Sequence, residues 1–489
     1  MTVMSQMPNW LSARSKLSAD RLALTNGQQT WSFGQLDRYV SQLATRMFHM
    51  GVRAGQRIAV LAESNMKIVA IIHALIQLGA VLVPVNPRLS SEDTNTILLD
   101  ADPWLVIGTL PRETPFSRSI TPEVLWHDLE QEPLYRSQPI NLSDIQCLMY
   151  TSGTTGRPKG ALISYGNIYY SAVSSAIHNG TTSSDLWLHV MPLFHIGGLS
   201  ILFRSVITGN GIVLLPRFDP EHIQDTWSRY PVSLVSLVPT MLFRLLKSSL
   251  NFPASLRLIL LGGAPPSASF VRQARAARLP VVLTYGLTET SSQIATQLLQ
   301  DKESDTSAGH PIYPTEIAIL SENGIICEPG KTGEIVVKGP TVFKGYWKQP
   351  QKTQEIFWEG WLRTGDVGHL NDNGSITVID RQKDLIIRGG ENISPVEIER
   401  VFTAHPLISD AGVLPINDEE WGQVPVIILV TDPQLTRQQC SEWANAHLSS
   451  IKRPVAYYHA DSLPRTASGK LRRTELLKIW QSGAYYELL

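Results

Sequence analysis

Tyr150-Thr151-Ser152-Gly153-Thr154-Thr155-Gly156-Arg157-Pro158-Lys159-Gly160 is the stretch around which the rest of the chain is organised. The apolar run Ile145, Cys147, Leu148 and Met149 leads into it as a strand. Its glycines admit backbone angles closed to other residues. Thr151, Ser152, Thr154 and Thr155 add hydroxyls beside the backbone N–H groups, and Lys159 adds one positive charge. Converging donors, with side chains small enough for close approach, suit a polyphosphate. A Walker A loop would need Gly-Lys followed by Ser or Thr opening a helix. Here Pro158 precedes the lysine, and Ala161, Leu162 and Ile163 read as a strand. Taken alone, the stretch also fits an ordinary Gly/Thr-rich surface turn, so residues further along the chain must decide between the two.

At 489 residues the chain exceeds one compact core and predicts two or more domains. A hydrophobic fraction of 43% and a charged fraction of 17% describe an ordinary globular protein. A net charge of −1 gives no global attraction to nucleic acid or to an anionic membrane. Cys147, Cys327 and Cys440 have no metal spacing and fit small apolar residues in a reducing, cytoplasmic setting. Met1 to Trp10 has neither a basic region nor an apolar core, so no signal peptide is expected. The uncharged run from Ile68 to Val85 raises the question of a membrane span. His73, Gln77, Gly79 and Pro84 interrupt it. The reading is a buried helix from Lys67 to Leu78 and then a core strand from Ala80, with no stable membrane insertion.

Short apolar runs alternate with helical patterns through most of the chain. Trp31 and Ser32 end a strand, Ser32 caps a helix carrying Leu36, Val40, Leu43, Ala44 and Met47, and Gly51 closes it. Strands are expected at Arg57 to Leu61, Trp104 to Ile107, Leu186 to Met191, Ile212 to Leu215, Leu234 to Val238, Leu256 to Leu261 and Val281 to Tyr285. This predicts a layered α/β core with mostly parallel sheets. From about Thr315 the runs become β-like, at Glu316 to Leu320, Gly333 to Val337 and Ser375 to Ile379, and predict a small β-rich subdomain over about 315–380. The polar break Arg381 to Asp384 divides an N-terminal domain, 1–382, from a small α+β C-terminal domain, 383–489.

Other stretches carry chemistry. Gly262-Gly263-Ala264-Pro265 follows an apolar strand and could let a flat ring lie against bare backbone. Tyr285-Gly286-Leu287-Thr288-Glu289 puts an aromatic face, a hydroxyl and a carboxylate at another strand end, where parallel sheets gather ligands. Glu289 could hold a Mg²⁺ that bridges phosphates. Asp366 offers a carboxylate to two ribose hydroxyls. Gly389-Gly390 is a second glycine pair, and Pro464 to Lys470 is a basic loop near the C-terminus. Each alone is commonly plain turn or linker chemistry.

Together, in this order and spacing, the loop at 150–160, Tyr285 to Glu289, Thr364-Gly365-Asp366, Arg381 with Asp384, Gly389-Gly390-Glu391-Asn392 and Pro464 to Lys470 resemble the adenylate-forming superfamily. That superfamily comprises acyl-CoA synthetases, peptide-synthetase adenylation domains and beetle luciferases. The resemblance covers nearly the whole chain. It implies that a carboxylate attacks the α-phosphate of Mg·ATP to give an acyl-adenylate, which a thiol such as coenzyme A then attacks. It further implies that Thr151, Ser152, Gly153, Thr154, Thr155, Gly156 and Lys159 hold the outer phosphates. Gly263, Ala264, Pro265, Tyr285 and Gly286 would frame the adenine, and Asp366 and Arg381 the ribose. Thr288 and Glu289 would act on the α-phosphate and Mg²⁺. Lys470 would bridge carboxylate and phosphate, Lys383 would be the hinge, and Gly389 and Gly390 would face the thiol.

The resemblance also locates the acyl pocket at Pro192-Leu193-Phe194-His195 and the helix after it, Gly262, and the residues after Glu289. His195 joins the catalytic set on the same ground. Arg204 within an otherwise apolar helix and the polar wall Ser291-Ser292-Gln293 are unusual for a fatty-acid enzyme. Phe194 to Leu199 with Thr288 to Gln293 resembles o-succinylbenzoate–CoA ligases of menaquinone or phylloquinone synthesis, whose substrate carries a second carboxylate. Arg204 could bind it as a fork; the alternative is that Arg204 snorkels to the surface or pairs structurally. Another aryl- or medium-chain acyl-CoA ligase, or an enzyme loading a carrier protein, would share the nucleotide motifs. The expected partners are a small carboxylic acid, ATP and coenzyme A, with no nucleic acid; homo-oligomer formation stays open.

Overall fold

Ser32 fixes where the first long helix begins. Its hydroxyl accepts from the Gln35 N–H while the Gln35 amide oxygen accepts from the Ser32 N–H, a reciprocal cap on Phe33–His49. That helix buries Leu36, Val40, Leu43, Ala44 and Met47, the positions its spacing predicts. The uncharged run resolves into the helix Met66–Gln77, capped by Asn65, and the strand Val81–Val85. No described helix is long and apolar enough to cross a membrane. The computed structural model describes residues 6–110, 114, 116–151, 158–248, 250–266, 268–299, 304–381, 384–388, 391–418, 421–431, 434–466 and 469–488.

Four large sheets carry the architecture. In the six-stranded sheet, Ile145–Thr151 (β1) lies between Lys159–Ser164 (β2) and Val81–Val85, with Arg57–Leu61 beyond. Its strands pair in parallel except for β1 with β2. The helix Tyr165–Asn179 (α1) leaves β2 directly. The nine-stranded sheet has a parallel centre. It contributes the helices Ile196–Thr208 (α2) and Pro239–Lys247 (α3), and the strands Leu258–Leu261 (β3), Val281–Leu287 (β4) and Ser292–Thr296 (β5). The β-rich subdomain is antiparallel and includes Trp361–Leu370 (β6) and Ile376–Arg381 (β7). A fourth sheet runs from Ile386–Arg388 to Tyr486–Glu487 and packs on its own core around Ile398, Phe402, Ile427 and Leu429.

The α/β layering is as expected, and several strand ends differ by one or two residues; the strand expected from Leu256, for example, begins at Leu258. Leu186–His189 stops short of Met191. Strand β4 runs on to Leu287, because β5 folds back to pair with it. The signal for that extension is a long-range pairing, which no local pattern carries.

Two histidines lie wholly inside this core. The His73 ring meets Phe203 edge-on, with centroids 6.1 Å apart. His189 Nε2 donates to the Gly198 carbonyl at 3.0 Å, and its Nδ1 is buried without a partner among the described residues. Burial holds both rings down to about 4, from 6.5. The unfolded chain therefore takes up protons first as pH falls. Their contribution is complete above about pH 6.5 and is lost on acidification towards pH 4. At about 1.4 kcal/mol per pH unit, each ring contributes on the order of 3 kcal/mol. Urea unfolding at pH 7.5 and pH 5 should show this fall, with a shallower dependence in His73→Leu. The same pH dependence in that variant would disprove the assignment.

Candidate active site

Strands β1 and β2 form an antiparallel pair with Thr151 opposite Lys159. A strand, not a helix, follows the Gly-rich stretch, as its sequence implies. Ser152, Gly153, Thr154, Thr155 and Gly156 lie outside the described residues. The base of the hairpin is pinned. Tyr150 donates its hydroxyl to Asp100 at 2.5 Å, and Trp347 and Lys348 donate to the Asp100 carbonyl at 3.0 and 2.7 Å. The Lys159 ammonium lies 5.4 Å from the centre of the Tyr346 ring.

The carboxyl ends of β3 and β4 supply the next groups. Gly262, Gly263, Ala264 and Pro265 follow β3 directly. Tyr285 lies in β4 and donates its hydroxyl to Asp366 at 2.6 Å. Asp366 is buried on β6, and its backbone partner on β7 is Arg381. Three stretches far apart in sequence, at 285, 366 and 381, therefore meet at one place. Gly286 must be glycine, since a Cβ there would run into the Ser292 carbonyl and prevent β5 from folding back. Thr288–Thr290 forms a tight turn after β4. Glu289 accepts a hydrogen bond from the Tyr346 hydroxyl at 2.7 Å, and its carbonyl accepts from the Phe343 N–H at 2.8 Å.

The C-terminal basic loop reaches the same edge. Thr466 and Lys470 close it, with Thr466 N–H on the Lys470 carbonyl at 2.8 Å and Lys470 N–H on the Thr466 hydroxyl at 3.0 Å. Gly469 has φ +79°, and a Cβ there would sit 2.9 Å from Thr240 Oγ1 at the start of α3. Thr240 lies two residues beyond Val238, the neighbour of Gly263. Lys383, Gly389 and Gly390 lie outside the described residues.

The wall expected to take the acyl group is formed where α2 faces β5. His195 caps α2 through its backbone, and its ring tilts against Phe194 at 4.7 Å. Burial lowers its pKa, so the ring is neutral near pH 7. Arg204 is 3% exposed, which rules out snorkelling. Its guanidinium donates to Ser292 Oγ at 3.2 Å and lies 5.6 Å from the centre of the Trp187 ring. Among the described residues its Nε is buried without a partner and no carboxylate pairs with it. Burial lowers it only to about 10, so it remains a cation. Ser291 and Ser292 both have positive φ, +56° and +100°, a strained backbone for non-glycine residues.

Helix α1 holds that strained wall. At every fourth position a polar side chain faces inward. Asn167 donates to the carbonyls of Pro340 and Val342, both at 2.8 Å. Ser171 donates to the Ser291 carbonyl at 2.6 Å, and Ser175 to Gln293 Oε1 at 2.7 Å. Gln293 in turn donates to Thr284 and Thr296 at 3.0 and 3.1 Å, so both its amide hydrogens are engaged within the wall. Ser292, not Gln293, is the member of the pair that meets Arg204. Sequence reasoning missed this ladder, although an i, i+4, i+8 polar stripe on a buried helix was there to find. It also missed Tyr346, which fits no periodic pattern.

Known proteins match this chain. The family described as AMP-binding enzyme matches residues 11–347, and the AMP-binding enzyme C-terminal domain matches 397–470. A 2-succinylbenzoate–CoA ligase of Bacillus licheniformis is 41% identical over 475 residues, spanning 96% of this chain and 99% of the relative. The o-succinylbenzoate CoA synthetase (MenE) of Bacillus subtilis has been solved in complex with the acyl-adenylate intermediate OSB-AMP. It superposes with a TM-score of 0.91 at 37% identity, over 97% of this chain and 98% of that one. The same enzyme with ATP and magnesium ion gives 0.89 at 37% identity, over 96% and 100%.

Proposed function

Because the chain belongs to the AMP-binding enzyme family, we propose that it is an ATP-dependent acid–CoA ligase that converts 2-succinylbenzoate to 2-succinylbenzoyl-CoA, a step of menaquinone or phylloquinone synthesis. Its co-substrates are ATP and coenzyme A, and it uses Mg²⁺. In the first half-reaction a carboxylate oxygen bonds to the α-phosphorus and pyrophosphate leaves. In the second the thiolate sulfur bonds to the acyl carbon and AMP leaves.

Each step spreads negative charge, so the protein's part is positioning and electrostatic stabilisation, with no protein nucleophile. Thr151 to Lys159 hold the outer phosphates. Gly263 to Pro265, Tyr285 and Gly286 frame the adenine, and Asp366 and Arg381 take the ribose. Lys470 bridges the attacking carboxylate and the α-phosphate, on which Thr288 also acts. The donor set around Glu289 fits Mg²⁺: hard oxygen atoms, with one carboxylate to supplement phosphate oxygens. Mg²⁺ there would neutralise charge on the phosphates. His195, Gly262, Ser292 and Arg204 line the acyl side.

The observation that carries the substrate assignment is Arg204. A buried cation with no carboxylate partner among the described residues is costly, and an acid with a second carboxylate supplies the missing charge. ATP–pyrophosphate exchange across a panel of carboxylic acids tests this reading. 2-Succinylbenzoate should give the highest kcat/KM; a simple benzoate or fatty acid outrunning it would reject the substrate.

The two half-reactions need different groups at one site, so the C-terminal domain, 383–489, pivots on Lys383 to exchange the Lys470 loop for Gly389 and Gly390. A hinge must absorb backbone rotation, and proline fixes φ. Lys383→Pro should leave adenylate formation measurable and slow thioester formation at least about tenfold. Unchanged overall turnover would refute the hinge.

A further inference from the structure

Tyr346 stands between two groups of opposite charge that handle the nucleotide. Its hydroxyl donates to Glu289 Oε1 at 2.7 Å, and its ring centre lies 5.4 Å from the Lys159 ammonium. Its own backbone is tightly held. Tyr346 N–H donates to Thr353 Oγ1 at 2.9 Å, and Tyr346 bridges to Ala161. On either side, Leu162 N–H donates to the Gly345 carbonyl at 2.9 Å and Trp347 N–H to the Gly160 carbonyl at 2.8 Å. The segment that carries Tyr346 thus runs along β2, the exit strand of the Gly-rich hairpin. Phe343, in the same segment, packs edge-on against the Tyr346 ring at 5.0 Å and binds the Glu289 backbone. Residues 343 to 347 therefore form a strut from the phosphate hairpin to the Glu289 turn, and Tyr346 is its only member bonded to the carboxylate itself among the described residues.

We propose that Tyr346 is a positioning residue for adenylation: its phenol orients the Glu289 carboxylate, and its ring holds that carboxylate in fixed relation to Lys159. The proposal rests on the assignment of Glu289 to Mg²⁺ made above. A carboxylate on a tight turn has free rotamers, and a hydrogen bond from a rigid phenol removes them. The hydrogen bond engages Oε1 and leaves Oε2 for the metal. Tyr346 acts through Glu289 and touches no reacting atom.

The test measures metal binding without turnover. Free Mn²⁺ is followed by electron paramagnetic resonance as it binds the enzyme with α,β-methylene-ATP, in wild type, Tyr346→Phe, Glu289→Gln and the double variant. Tyr346→Phe should weaken Mn²⁺–nucleotide binding about tenfold, the scale of one hydrogen bond to a charged group. Binding of the nucleotide in EDTA and of 2-succinylbenzoate should be unchanged. The double variant should bind no more weakly than Glu289→Gln alone. Wild-type Mn²⁺ binding in Tyr346→Phe, equal losses with and without metal, or additive losses in the double variant would overturn the proposal. If Glu289→Gln itself binds Mn²⁺ normally, the Glu289 assignment fails and takes the proposal with it.

Discussion

Lys470→Ala is expected to remove the first half-reaction and largely spare the second. ATP–pyrophosphate exchange should fall on the order of a thousandfold, the upper range for removing one transition-state charge stabiliser. A supplied 2-succinylbenzoyl-adenylate should still be converted to its CoA thioester at nearly the wild-type rate. The asymmetry comes from charge. In adenylation two anions, carboxylate and α-phosphate, must approach each other, and an ammonium between them relieves the repulsion. In thioester formation the adenylate is already made, and the departing AMP needs no such bridge. The Lys470 loop packs against Thr240 at the start of α3, two residues beyond Val238, the neighbour of Gly263. The loop is shaped by its own hydrogen bonds between Thr466 and Lys470, mainly through the backbone at position 470. Replacing the side chain alone should therefore leave the loop in place. Equal loss of both half-reactions would show that Lys470 has no role particular to adenylation.

What the sequence could disclose depended on how local the determining physics was. Ser32 and its helix were legible because a cap and a helical stripe are both defined within a few residues. The run from Ile68 to Val85 could be divided correctly because Gly79 and the residues around it break it at a definite point. Gly-rich turns at strand ends, such as Gly262-Gly263 after β3, were legible for a related reason: they keep their residue types wherever the strand is placed. The Tyr285 to Asp366 hydrogen bond was not visible as a contact, because it joins β4 to β6 across about eighty positions. Tyr346 was missed because its role comes entirely from running beside β2. The α1 ladder was overlooked although its spacing is regular, because serine on a helix usually means a solvated face. Only the packing of α1 against β5 makes Ser171 and Ser175 internal.

Arg204→Ala should cut kcat/KM for 2-succinylbenzoate on the order of a hundredfold or more. The guanidinium is 3% exposed and remains a cation, its pKa lowered by burial to about 10. Its hydrogen-bond acceptor among the described residues is the neutral Ser292 hydroxyl, at 3.2 Å. Trp187 meets its face at 5.6 Å, which favours the cation without neutralising it. A carboxylate placed against this group in a dry pocket would make charge-assisted bonds, with the fork still able to donate from its unpartnered Nε. Removing one partner of a buried pair costs on the order of 3–5 kcal/mol. At about 1.4 kcal/mol per factor of ten, that is a loss of at least a hundredfold. A monocarboxylic analogue, benzoate or a phenylalkanoate, has no second carboxylate to lose. Its weak activity should change little or rise, because the alanine also removes the cost of desolvating an unpaired cation. The comparison is internal: a misfolded wall would lower both activities alike. Ser292→Ala gives a graded version, since it takes one neutral partner from Arg204 and leaves the charge; the loss should be smaller and again confined to the dicarboxylic acid. If Arg204→Ala keeps the wild-type ratio between dicarboxylic and monocarboxylic acids, Arg204 does not read the second carboxylate, and its buried charge serves the packing of α2 against β5.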